Sequence, residues 1–280
     1  MVTTTKRFVI CVNNSGYEAS LENRKIYVAL PDSRAEQFGQ LRVIDESGED
    51  YLYSRTAFKN APQQKPSLLL DGLDWAQIRE HYDERKVAHL KLAKLMKSES
   101  IHDFVDLLLG ISDKSGNYSA SEHQLGARIR TGNLRAYDRV WTLAHALRNV
   151  GSGFDVPSII ERAAIRYLAI SVGSEASCML SPDKCWVTNI RSIWSHIAFE
   201  RQSISEANEA LKLFRFSDSS SEMTYHNWMT PFHAELPDML ALIELEGANY
   251  AATLGIKKGS LRYLWIDAIV SAFYARKHSN

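Results

Sequence analysis

The chain carries no surplus charge of either sign: 33 lysines and arginines stand against 33 aspartates and glutamates in 280 residues. No global field therefore draws it onto nucleic acid or an anionic membrane, and any such binding must come from a local patch. Cysteine is scarce, with only Cys11, Cys178 and Cys185. An odd, low count argues against a disulfide framework and for a reducing compartment, read here as the cytoplasm. Cys178 and Cys185 have no second close cysteine or histidine pair to complete a structural zinc set. Long apolar runs are missing too, since even LWIDAIVSAFY carries Asp267, so no membrane span is expected. The start, MVTTTKRFVICVNN, holds too few apolar residues for a signal-peptide core. GxGxxG, GxxxxGK, HExxH and GxSxG are all absent, which removes the sequence mechanisms of the common dinucleotide, nucleotide, zinc-protease and hydrolase classes. Neither a cofactor nor a metal is expected.

What is present divides at about residue 60. RFVICVN (7–13), RKIYVAL (24–30), LRVIDE (41–46) and DYLYS (50–54) are short runs rich in β-branched and aromatic residues, separated by turn residues. NAPQQKPS (60–67) reads as a linker. From Asp74 onward the period becomes helical. Asp74 with Gln77 starts a helix to Lys97, and Ser100 with Asp103 starts a second ending at Gly110. Ser119 with Glu122 opens a third, Asn133 caps a fourth, and Pro157 begins a long helix toward Met179. Further helices are expected in KCWVTNIRSIWSHIAFER, from Ser203 with Glu206, in ELPDMLALIELEGANYAATLG and in SLRYLWIDAIVSAFYARK. The last is apolar on most of its circumference and should be central. The expected class is α+β: a small β-barrel over residues 1–60, a linker over 61–73 and an all-α helical-bundle domain over 74–280.

The order of the first part is a strand, a long polar excursion, a strand, a second excursion, a tight hairpin and one turn at SRTAF. It resembles a Src-homology-3-like small barrel. The resemblance implies a protein partner, with Tyr17, Tyr27, Tyr51 and Tyr53 as candidates to line a groove. Tyr51 and Tyr53, two apart, share one face and are equally readable as cover for the sheet.

Two features of the helical part carry chemistry. In RKVAHLKLAKLMK, Lys86, Lys91, Lys94 and Lys97 occur with no intervening acid, and ARIRTGNLRAYDR holds Arg128, Arg130, Arg135 and Arg139 against Asp138 alone. If the helices bearing them pack together, they form a phosphate-sized positive surface that binds nucleic acid or a nucleoprotein without reading bases. The second feature is RSIWSH, which sets Arg191 and His196 five apart. It weakly resembles the R-x4-6-H motif of the HEPN helical superfamily, which implies metal-independent endoribonuclease activity, with imidazole moving a proton and guanidinium steadying phosphate charge. RVWTLAH repeats the pattern less closely at Arg139 and His145. With 19 arginines and 9 histidines, such separations arise roughly twice by chance.

His226, His233 and Glu235 lie within ten residues, but their spacing matches no metal motif. Glu99 with His102 lacks the second pair that a bundle di-metal site requires. The preferred expectation is a non-enzymatic adaptor or complex subunit using basic helices, with the endoribonuclease as the alternative and a second copy of the chain as a candidate partner.

Overall fold

The structure is a computed structural model that describes residues 7–23, 25–60, 68–112, 118–121, 124–216 and 228–276. The chain is α+β and divides into two compact units, Met1–Pro66 and Ser67–Asn280.

The first unit is a small curled antiparallel sheet. Its strands are β1 (Arg7–Cys11), β2 (Ile26–Leu30), β3 (Gln40–Ile44), β4 (Asp50–Ser54) and β5 (Phe58–Asn60), in the order β4-β3-β2-β1-β5. A short helix, α1 (Ser33–Gln37), bridges β2 and β3, and one 3-10 turn (Arg55–Ala57) joins β4 to β5. The period of two is clearest in β3, where Leu41 and Val43 turn inward between partly exposed neighbours. They meet Val9, Cys11, Ala29 and Phe58 in the core.

Tyr27 and Tyr53 are core residues of this unit. The Tyr53 hydroxyl donates to Asp45 at 2.5 Å and the Tyr27 hydroxyl to Glu46 at 2.6 Å, so two tyrosines hold the acidic β3–β4 turn. Burial first, then those carboxylates, push both phenols up to about 12. Tyr17 packs edge-on against Tyr53, while Tyr51 stays exposed. Of the pair at 51 and 53, only Tyr53 is covered.

The second unit is a helical bundle of α2 (Trp75–Lys97), α3 (Ile101–Leu108), α4 (Leu125–Gly132), α5 (Ala136–Arg148), α6 (Val156–Ala163), α7 (Ile170–Leu180), α8 (Ile190–Arg201), α9 (Ile204–Phe216), α10 (Leu236–Thr253) and α11 (Arg262–Ala275). Leu70 and Leu73 already belong to its core. α11 is central as expected: Tyr263 to Val270 are all buried, and it packs on α2, α7, α8 and α10. Caps legible in the sequence form at Asp74, which accepts from the Gln77 amide, and at Ser203, which accepts from the Glu206 amide. No described helix is long and apolar enough to cross a membrane.

Three local expectations are corrected. The helix expected from Pro157 to Met179 is two helices, broken where Ala164 and Tyr167 take left-handed conformations. Asn133 does not cap α5, whose N-cap is Arg135. The start of α4 is Gln124 without a side-chain cap, and Glu122 of the expected box lies outside the described residues.

Candidate nucleic-acid interface

The arginine-rich segment forms a corner between α4 and α5, bolted to the loop between α6 and α7. The Asn133 amide nitrogen donates to the carbonyls of Ile129 (2.8 Å) and Arg166 (3.1 Å), while its oxygen accepts from the Arg166 amide at 2.9 Å. Arg139 completes the joint, donating to the carbonyls of Ala163 (2.9 Å) and Ala164 (2.8 Å). These are orphan acceptors at the end of α6, and a guanidinium satisfies two at once.

The joint presents an aromatic ring among cations. Tyr167 has a φ of 70° and its ring centre lies 4.3 Å from the Arg128 guanidinium carbon and 4.7 Å from that of Arg166. Gly132 makes room: a Cβ there would stand 2.8 Å from Tyr167 Cε2. Arg128, Arg162 and Arg166 are exposed, and Leu134 at the tip is 90% exposed. Arg135, Ala164 and Tyr167 are all left-handed without being glycine. Such positions cost on the order of 1–3 kcal/mol each and persist only where surrounding contacts fix them.

The eight basic residues singled out in the sequence therefore have different surroundings. Arg128 lies over the Tyr167 ring, Arg135 pairs with Asp138 at 2.9 Å while staying exposed, and Arg130 stands 3.7 Å from Asp106. Arg139 is spent on backbone carbonyls. On α2, Lys91, Lys94 and Lys97 are exposed and Lys86 is half-buried. The two basic stretches do not pack side by side: α3 packs on both α2 and α5, and α4 packs on α5. Arg166 and Tyr167 were missed in the sequence; the signal available was Arg162 and Arg166, four apart, followed by an aromatic residue.

Arg191 and His196 both lie on α8, whose N-terminus is closed by a capping box of Asn189 and Ser192. Arg191 reaches Ser271 of α11 at 3.4 Å, whereas His196 turns to Glu235 at 3.8 Å and to the Phe232 ring. The structure thus directs them to different neighbours. Arg191 Nε and His196 Nδ1 are buried with no hydrogen-bond partner among the described residues. Arg139 and His145 also diverge, His145 packing on the Trp141 ring.

His233 is buried, stacked on Trp186, and bonded at both nitrogens: to Thr188 Oγ1 at 2.5 Å and to the Gly153 carbonyl at 2.9 Å. A carbonyl only accepts, so Nε2 carries the proton and Nδ1 accepts from the threonine hydroxyl. Burial lowers its pKa. Glu235 is exposed, and His226 lies outside the described residues. Among the described residues no group of three side chains is placed to hold a metal.

A second concentration of charge is internal. Arg85, 2% exposed, donates to Glu175 at 2.7 Å and lies 3.7 Å from Asp267, with Tyr118 under its guanidinium at 4.7 Å. Glu175 also accepts from the Ser119 amide. Burial alone would lower the arginine pKa, but the two carboxylates outweigh it and hold the group above its ordinary value. No protein-family profile, curated protein or solved structure matches this chain.

Proposed function

We propose that the protein is a non-enzymatic adaptor or complex subunit whose helical unit contacts nucleic acid, or the nucleic acid of a nucleoprotein, through its basic helices. The observation that carries this reading is the Tyr167 ring held among Arg128 and Arg166 on the corner fixed by Asn133 and Arg139. Guanidinium groups meet phosphate whatever the base sequence, and the ring between them holds both in place. Arg130, Arg135 and the α2 lysines add positive charge beyond the corner. The N-terminal unit is read as a Src-homology-3-like barrel that recruits a protein partner. The order β4-β3-β2-β1-β5 and the single 3-10 turn before β5 support that reading. Three buried free cysteines agree with a reducing, cytoplasmic setting.

The test is filter binding of single-stranded RNA and DNA at several salt concentrations. Affinity should fall as salt rises, with a slope of about 0.7 per phosphate neutralised, and should drop in Tyr167→Ala. Absence of binding by the wild type at low salt ends the reading.

The second reading is a metal-independent HEPN-like endoribonuclease using Arg191 and His196. Its support is the resemblance of RSIWSH to the R-x4-6-H motif, with both residues on one helix. RNA incubated in chelator should be cut by the wild type and not by His196→Ala; equal or absent cleavage in both overturns it.

A further inference from the structure

The outward stripe of α2 separates its charges by sign along the helix. At helical spacing of three and four it runs Glu80, Asp83, Glu84, Val87, Leu90, Lys91, Lys94 and Lys97. The first half is acidic, the last half basic, and between them stand two apolar residues, Val87 at 66% exposure and Leu90 at 56%. Stabilising a lone helix through its side chains would favour opposite charges at i, i+4. Here Glu80 and Glu84 are four apart with like sign, as are the successive lysines Lys91, Lys94 and Lys97 at spacings of three. Beside the stripe, Arg79 donates to both carboxylate oxygens of Asp83, at 2.7 and 2.8 Å. Segregated charge flanking an apolar centre is instead complementary to itself reversed.

We infer that this face of α2 pairs antiparallel with α2 of a second copy of the chain about a two-fold axis near Val87. That axis sets Val87 against Val87 of the partner subunit, Glu80 against Lys94 of the partner subunit, Asp83, shared with Arg79, against Lys91 of the partner subunit, and Glu84 against Leu90 of the partner subunit. Every contact is repeated by symmetry, as an isologous interface requires. The apolar pair lies at the centre and the charges at the rim, where they steer and set register. Glu80 to Lys94 spans about 21 Å of helix. Beside the acidic half the surface opens into a cleft of about 690 Å³, lined by Arg79 and Arg85 as well as by Glu80, Asp83 and Glu84. In such a dimer Lys91 and Lys94 are withdrawn from phosphate, which leaves Lys86, Lys97 and the arginine corner to it; the assignment does not rest on the nucleic-acid reading.

One helix pair buries less than a standard interface of roughly 1,600 Å², so the association is weak and must be sought at high concentration. Sedimentation equilibrium of the full chain from about 1 to 500 µM, at about 50 and 500 mM salt, should show the mass rising toward twice that of one chain, less so at high salt. Lys91→Glu with Lys94→Glu should weaken self-association at least tenfold, as should Glu80→Lys with Asp83→Lys. Mixing the two doubly reversed proteins should restore a dimer, because every rim pair is then opposite in sign. Val87→Asp is a second way to break it, and far-UV circular dichroism checks that each variant is folded. A wild type that stays monomeric throughout, a dimer indifferent to all three variants, or a mixture that stays monomeric overturns the proposal. In the first case the charges only complement the α2 dipole or meet another protein. Nucleic-acid binding is not measured in this experiment, so the two proposals fail separately.

Discussion

Arg85 and Arg128 are the same residue type put to opposite uses. Arg85 is sealed among Glu175, Asp267 and Tyr118, where every neighbour compensates its charge. Arg128 lies over Tyr167 on an exposed helix face. A charge withdrawn from water has to be balanced within the fold and is out of reach of a ligand, whereas an exposed one stays within reach and has little share in stability. The contrast predicts which substitutions unfold the protein and which leave a folded protein that binds less.

The largest effect should come from breaking the buried centre. Arg85→Met strands Glu175 and Asp267 in the interior and is expected to cost about 3–5 kcal/mol, read as a shift in the urea midpoint at unchanged slope. Adding Glu175→Gln to that variant should recover part of the loss, because an unpaired buried carboxylate is then gone while an acceptor for the Ser119 amide remains. If the double variant is the less stable of the two, the carboxylate is not the source of the cost.

Next in size is the joint between the α4–α5 corner and the α6–α7 loop. Asn133→Ala removes three hydrogen bonds that tie Arg166 and the end of α4 together. The expected loss is about 1–3 kcal/mol, with binding weakened as well, because Arg166 and Tyr167 are no longer held. Stability lost without any loss of binding would mean that the corner is not what binds.

The same joint explains what the sequence hides. Helix caps at Asp74 and Ser203 are legible because cap and amide are three residues apart. The break between α6 and α7 is not, because Arg139 and Asn133, 24 to 33 residues away, take the backbone groups around it. Local pattern reads Asn133 as a cap, whereas tertiary contact makes it a bolt. The basic residues were visible by composition; which of them is consumed and which is presented depends on partners from other helices. The buried cluster went unread: an acid in an apolar run, such as Asp267 or Glu175 in ISVGSEASCML, needs a cation, but only the fold shows that the cation is Arg85, 90 and 182 residues away.

Acid should attack the buried side of the comparison and spare the surface. His233 and His81 both have pKa values lowered by burial from the ordinary 6.5. The unfolded chain therefore takes up protons that the folded chain refuses. Stability present above pH 6.5 should fall as pH drops through that value toward the folded pKa values, most clearly because a protonated His233 no longer accepts from Thr188. Urea midpoints between pH 7.5 and 5.5 test this, and His233→Gln should flatten the dependence. An unchanged slope in the variant would assign the titration to His81 or to other groups.

The smallest effect on stability should come from the surface itself. Arg128→Ala and Arg166→Ala each remove one cation from beside Tyr167, an interaction worth about 0.5–1 kcal/mol at an exposed site. The urea midpoint should scarcely move. Single-strand affinity should fall severalfold, and the salt slope should decrease by about 0.7 for each phosphate that is no longer neutralised. Those two readouts separate charge from shape: Arg→Lys at either position keeps the phosphate charge and the slope while losing the flat stacking surface that only guanidinium offers. If lysine serves as well as arginine, the corner works as a point charge and the Tyr167 ring is there for packing. If lysine keeps the slope but loses affinity, the stack of guanidinium and ring is itself the binding element.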